Sequence, residues 1–206
     1  GRRSVVSGLA ALLPFLAAGG NLVGAAGYRF ILPTVEGVPG EALRWTIQGD
    51  PEESIQGFSM ALRYPSADLQ VIRVHFDDTI LDAMTVDYFE AKLSPEDGTL
   101  VIGVLVDSEP PFDGRLIPAI DMPLDYIHLE LSVLPHVSED LTIRLEDGLS
   151  TPPIRNLFVV DNREVTATEL GEGGIHTVLQ PGMGAFVRGD FNMDWSLDIS
   201  DPISLL

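Results

Sequence analysis

The chain has 206 residues, 45% of them hydrophobic, and 31 acids against 12 bases give a formal net charge of −19. That length and apolar content suit one ordinary domain with small appendages, while so strong an acidic excess excludes nucleic acid, which needs clustered Lys and Arg, and disfavours an anionic membrane surface. There is no cysteine, which removes disulfides, thiolate metal sites, iron–sulfur clusters and cysteine nucleophiles.

Residues 1–26 open on Arg2 and Arg3, run through an apolar stretch from Val5 to Ala18, and end on small residues at Val23-Gly24-Ala25-Ala26. A positive start, an apolar stretch and an A-x-A-like cleavage point are the layout of a cleaved signal peptide. Pro14 and Gly19-Gly20 interrupt the run, against a spanning helix of about 20 apolar residues. The expectation is bacterial export to a secreted or cell-surface location, with no membrane contact after cleavage.

From Tyr28 to Leu179 short runs of alternating apolar and polar residues succeed one another, separated by turn residues. The predicted strands are Tyr28–Val35, Ala42–Gln48, Ile55–Tyr64, Leu69–Phe76, Met84–Leu93 and Thr99–Val106. Leu124–Val133, Leu141–Leu145, Leu157–Val160 and Ile175–Leu179 complete the set. Leu129, Leu131 and Val133 show the period of two most clearly, with Glu130 and Ser132 between them. Gly and Pro gather at the joints, as in Val38-Pro39-Gly40, Glu96-Asp97-Gly98 and Glu146-Asp147-Gly148. No long segment repeats apolar residues at helical spacing, and no Gly-rich phosphate loop appears. Many short strands at this spacing predict a two-sheet sandwich of jelly-roll type. Gln180-Pro181-Gly182-Met183-Gly184 reads as a linker between the sandwich and the C-terminal segment.

One motif carries chemistry. Calcium is a hard cation that takes about six to eight oxygens, and an EF-hand-type loop supplies them at fixed positions. The stretch from Asp190 to Asp201 places Asp190, Asn192, Asp194, Asp198 and Asp201 at the first, third, fifth, ninth and twelfth positions. Ser196 stands at the seventh, where a backbone carbonyl ligates. Leu197 is apolar and suited to pin the loop to a core. Trp195 departs from the pattern, since that position usually holds Gly for a sharp turn.

With those residues on the page, the run from Phe186 to Asp194 and on from Leu197 to Leu206 resembles the first segment of a type I dockerin repeat. The resemblance implies a calcium loop that ends on Asp and leads straight into a helix, which makes Asp201 the expected residue. It also implies that two such segments pack together, of which these residues match the first. Ile55-Gln56-Gly57-Phe58-Ser59-Met60-Ala61-Leu62-Arg63-Tyr64-Pro65, followed by Leu69-Gln70-Val71, is similar to an early strand pair of cohesin-like jelly rolls.

Other candidates are weaker. His75, His128, His136 and His176 lack the spacing of a metal-hydrolase site. Asp77-Asp78 and Glu52-Glu53 are adjacent acids, and neighbours on a strand point to opposite faces. No G-x-S-x-G nucleophile turn is present. Trp45, Tyr64, Tyr88 and Tyr126 are candidates for a sugar-stacking row, set against ordinary use in a core.

The sequence therefore predicts an all-β chain: a signal peptide over 1–26, a cohesin-like sandwich over 27–180, and a linker with a partial dockerin-like calcium loop and helix start over 181–206. The expected function is a non-catalytic scaffolding or interaction module, not an enzyme. Its expected cofactor is Ca²⁺, and its expected partner is another extracellular protein module of cohesin or dockerin type, or a polysaccharide. The rival reading is a carbohydrate-binding or adhesin sandwich that carries a calcium loop.

Overall fold

A computed structural model describes residues 27–110 and 113–179. The strands in chain order are β1 (Arg29–Ile31), β2 (Thr34–Gly37), β3 (Ala42–Asp50), β4 (Gly57–Arg63), β5 (Leu69–His75) and β6 (Tyr88–Ser94). They continue as β7 (Thr99–Leu105), β8 (Leu124–Val133), β9 (Leu141–Leu145), β10 (Leu157–Val160), β11 (Arg163–Thr166) and β12 (Glu172–Thr177). There is no helix among the described residues. The protein is all-β, as the alternation predicts, and the strands form two sheets.

One sheet runs β1-β3-β8-β5; the other holds eight strands, with β4 between β7 on one side and β9 and β10 on the other. Their inner faces share one apolar core. Trp45 and Ile47 from β3, Phe58, Met60 and Leu62 from β4, Ile102 from β7 and Leu131 from β8 are all essentially inaccessible. Aromatic contacts tie the two sheets together. Phe30 of β1 stacks on Phe158 of β10 at 4.3 Å, and Phe58 of β4 stacks on Tyr126 of β8 at 5.0 Å.

The predicted strand over Tyr28–Val35 is two strands in different sheets. β1 pairs with β3, whereas β2 pairs in parallel with β12. The chain crosses between sheets at Leu32-Pro33, where proline has no N–H to give to a ladder. The Pro33 carbonyl still accepts two hydrogen bonds, from Trp45 Nε1 and the Gly174 amide, both at 3.0 Å. β12 starts at Glu172, earlier than the apolar residues suggest. Gly173 is the reason: a Cβ there would lie 2.4 Å from the Pro33 carbonyl oxygen, so this crossing needs a bare backbone.

β11 is a strand that sequence reading misses, because Arg163-Glu164-Val165-Thr166 is polar and mostly exposed. It pairs with β10 across a two-residue turn, Asp161-Asn162, whose φ angles are 48° and 60°. Two successive positive φ values give the turn that matches strand twist, and an Asp-Asn pair is its signal.

A bulge between Ile47 and Gln48 makes Tyr126 the extra residue opposite them. Its ring turns inward over Gly49, where a Cβ would sit 2.0 Å from the ring.

Candidate docking face

The outer surface of β6, β7 and β4 is assembled by register. Leu105 lies between Gly57 and Tyr88, Gly103 between Ser59 and Glu90, Val101 between Ala61 and Lys92, and Thr99 between Arg63 and Ser94. The large partners of these residues point the other way: Phe58, Met60, Leu62, Leu100, Ile102 and Val104 fill the core. Small and uncharged side chains therefore pave the middle of the face, and charged ones stand at its margin.

The loop between β9 and β10 forms a wall along this floor. Asn156 anchors it. Its Oδ1 accepts the Ala61 amide at 2.8 Å and its Nδ2 donates to Asp147 at 2.8 Å. β10 pairs with β4 at Gly57–Ser59 and β9 pairs at Leu62–Arg63, so this side chain bridges the gap between them. Ser59 Oγ donates to the Arg155 carbonyl at 2.7 Å. Two adjoining depressions of about 430 and 370 Å³ lie between wall and floor, and Lys92, Val101, Ser150 and Thr151 line both.

Electrostatics mark the two ends. Arg63 grips Glu146 with two hydrogen bonds of 2.8 and 2.9 Å, and Arg144 adds two more at 3.0 and 3.2 Å. The two guanidinium groups push the Glu146 carboxyl down to about 2. Lys92, the chain's single lysine, reaches Ser150 Oγ, at 3.4 Å, and no other side chain among the described residues. Tyr88 donates its hydroxyl to Glu90.

The metal residues expected from sequence, Asp190, Asn192, Asp194, Ser196, Asp198 and Asp201, lie outside the described residues, as do the expected signal peptide and linker. Among the described residues no group of three or more His, Asp or Glu side chains is arranged to hold a metal ion. Asp77 pairs with Arg73 at 2.9 Å, Asp82 accepts the Asp78 amide, and Glu52 and Glu53 stand exposed on the loop before β4. These acids do not converge on one another. Of the aromatic row, Trp45 and Tyr126 are 0% exposed and Tyr64 6%, all committed to the core, while Tyr88 alone is on the surface. His75 and His128 are buried side by side on the outer face of the four-stranded sheet, whereas His136 and His176 are exposed beside Asp68 and Asp140.

Sequence reasoning did not single out this docking face. Its signal was present in the alternation of small and large residues along β4 and β7, and in the lone lysine.

No protein-family model matches the chain, and no curated protein matches it. Solved structures do. One is a chain of a type I cohesin–dockerin complex from Clostridium thermocellum, at 19% identity and TM-score 0.57, covering 74% of this chain and 99% of that one. Another is the seventh ScaB type I cohesin of Pseudobacteroides cellulosolvens, at 14% identity and TM-score 0.56, covering 76% and 95%. A third is a cohesin module from a family 33 glycoside hydrolase of Clostridium perfringens, at 13% identity and TM-score 0.53, covering 75% and 99%. The β-sandwich is thus a cohesin-like fold, as the early strand pair suggests.

Proposed function

We propose that this chain is a non-catalytic interaction module of cohesin kind, exported by its N-terminal segment, that docks a protein partner on the face of β4, β7 and β6. The observation that carries this reading is the register itself. Ser59, Val101 and Gly103 form a partly exposed, uncharged floor, beside the buried Gly57 and Ala61, and Arg63, Glu90 and Lys92 form its rim. An uncharged centre inside a polar rim is how protein interfaces are built. Cohesins of this fold occur in complexes with dockerins, and a dockerin-type module is the partner proposed here. A stacking surface for polysaccharide would need aromatic side chains that this fold spends on its core.

The C-terminal loop from Asp190 to Asp201 is proposed to take one Ca²⁺ through Asp190, Asn192, Asp194, Asp198, Asp201 and the Ser196 carbonyl. Calcium would neutralise crowded carboxylates, so binding the ion becomes ordering energy for that segment. Calcium calorimetry on the whole chain tests the loop. Saturable binding lost in Asp190→Ala/Asp194→Ala supports it, and no heat in the parent chain removes it.

The docking reading is tested separately, with a calcium-loaded type I dockerin as the probe. Binding that disappears in Val101→Arg, with the unfolding midpoint retained, supports the face. Binding that survives Val101→Arg places the partner elsewhere, and no binding with any dockerin removes this partner class.

A further inference from the structure

The eight-stranded sheet ends on β6, which pairs only with β7 among the described residues. The parity of its hydrogen bonds can be derived. Val106 donates to the Gln56 carbonyl and Tyr64 donates to the Gly98 carbonyl. By antiparallel alternation, the even residues of β7 therefore exchange bonds with β4. The odd residues, from Thr99 to Leu105, then exchange bonds with Ser94, Lys92, Glu90 and Tyr88. That leaves Phe89, Ala91 and Leu93 with both N–H and C=O directed at the open edge. Leu93 is 37% exposed there, although it stands on the core side of the pleat.

Other edges of the protein are blunted. β5 has the same seven residues, but a bulge between Val71 and Arg73 breaks it. β1, β2 and β11 have only three or four residues each. β6 has seven residues in unbroken register and no proline. A long regular edge of this kind is a template for another strand.

We propose that two copies of the chain join edge to edge through β6, antiparallel, about a two-fold axis at Ala91. In that register Ala91 meets Ala91 of the second copy, and Phe89 meets Leu93, in hydrogen-bonded pairs. Glu90 stands opposite Lys92 twice, in the closely spaced non-hydrogen-bonded pairs where side chains interact most. The chain's only lysine thus acquires two-fold-related carboxylate partners in a protein of net charge −19. The pattern also selects the register. Shifting by two residues one way sets Glu90 against Glu90, and the other way sets Lys92 against Lys92, and like charges directly opposite are unfavourable. Phe89 covers the exposed Leu93 of the other copy, and the reverse. The arrangement lays two docking floors side by side on one continuous sheet, yet it stands whether or not a partner docks there.

Sedimentation of the full chain over a concentration series tests the pairing. The expected species at high concentration has twice the 22.3 kDa of one chain. Lys92→Glu or Glu90→Lys alone should raise the dissociation constant at least about tenfold, because each sets like charges opposite one another twice. The double exchange Glu90→Lys/Lys92→Glu restores both pairs and should return the constant to within about threefold of the parent. Ala91→Pro removes only an outward N–H, so it should give a folded monomer. Amide exchange at Phe89, Ala91 and Leu93 should slow as concentration rises. A chain that stays monomeric throughout overturns the proposal and makes Lys92 a guard against edge pairing. A dimer indifferent to the single reversals, or a double exchange that fails to restore it, overturns it as well.

Discussion

The two outer faces of the sandwich are built on opposite plans. On the four-stranded sheet, polar side chains satisfy one another. Thr46 bonds His128 at 2.8 Å, Gln48 bonds Asp125 at 2.7 Å, and Glu130 takes both Arg44 and His75 at 3.1 Å. His75 Nδ1 lies 3.0 Å from Asp77 but off the line of a hydrogen bond. On the β4-β7-β6 face the central side chains are small, and the ionic contacts sit at the end near Glu146. A face whose polar groups are already paired offers a partner little, since docking would break bonds it must then replace. A floor of Gly, Ser and Val loses little water binding and presents few rotamers to freeze.

Four perturbations probe these faces, in falling order of expected effect. Phe158→Ala should damage both at once. The ring is fully buried and stacks on Phe30 across the sandwich, so its loss should cost about 3–5 kcal/mol in urea unfolding. Asn156→Ala should strike the docking face alone. It leaves the buried Ala61 amide unpaired and releases the wall loop, at about 1–3 kcal/mol, and hydrogen exchange should rise at Ala61 before any residue of β8.

Acid should then distinguish the faces by the order in which they weaken. Burial, reinforced by Arg44 and His75, holds the His128 imidazole below its ordinary 6.5. The folded state prefers the neutral ring, so this contribution is present above pH 6.5 and is lost as pH falls below it. Glu146 is held down from 4.5 to about 2, so its contribution is present above pH 4.5 and is lost as pH falls from there toward 2. The unfolding midpoint should therefore decline in two stages, with His128→Gln reducing the upper and Glu146→Gln reducing the lower, to which Glu130, Asp87, Asp113 and Asp140, also held below their ordinary values, contribute as well. A single decline that ignores both substitutions would remove the distinction. Smallest of all, Arg155→Ala breaks the exposed pair with Glu164 and should move stability by no more than about 0.5 kcal/mol.

Much of this fold could be read in advance, and the exceptions have physical reasons. β8, β9 and β10 fall on the residues that alternation marks, because β9, β10 and the Leu129–Val133 half of β8 alternate buried residues with more accessible ones. β6 starts at Tyr88 and not at Met84, since residues 84–87 form a loop in which Asp87 accepts the amides of Ser108 and Glu109. β11 escapes because a short exposed strand carries no hydrophobic period, and only the Asp161-Asn162 turn announces it. Of the site, the four aromatics named as a possible stacking row show why composition misleads: period two places Trp45 on a strand but not on a side. The small residues of β4 and β7 were visible as gaps between large ones, but nothing local says that the gaps from two strands face the same way.

By itself the sequence determined that this chain is built of strands, which residues of most of them turn inward, and that its surface is acidic. Those properties come from local periodicity and from charge, which need no knowledge of neighbours. Only the tertiary structure decided that Tyr28–Val35 serves two sheets, that Asn156 spans the gap beside β4, that Gly57, Ser59, Ala61, Val101 and Gly103 meet on one face, and that β6 is left at the edge. Each depends on which strand lies beside which, and pairing between residues far apart in sequence is settled by the whole core closing at once.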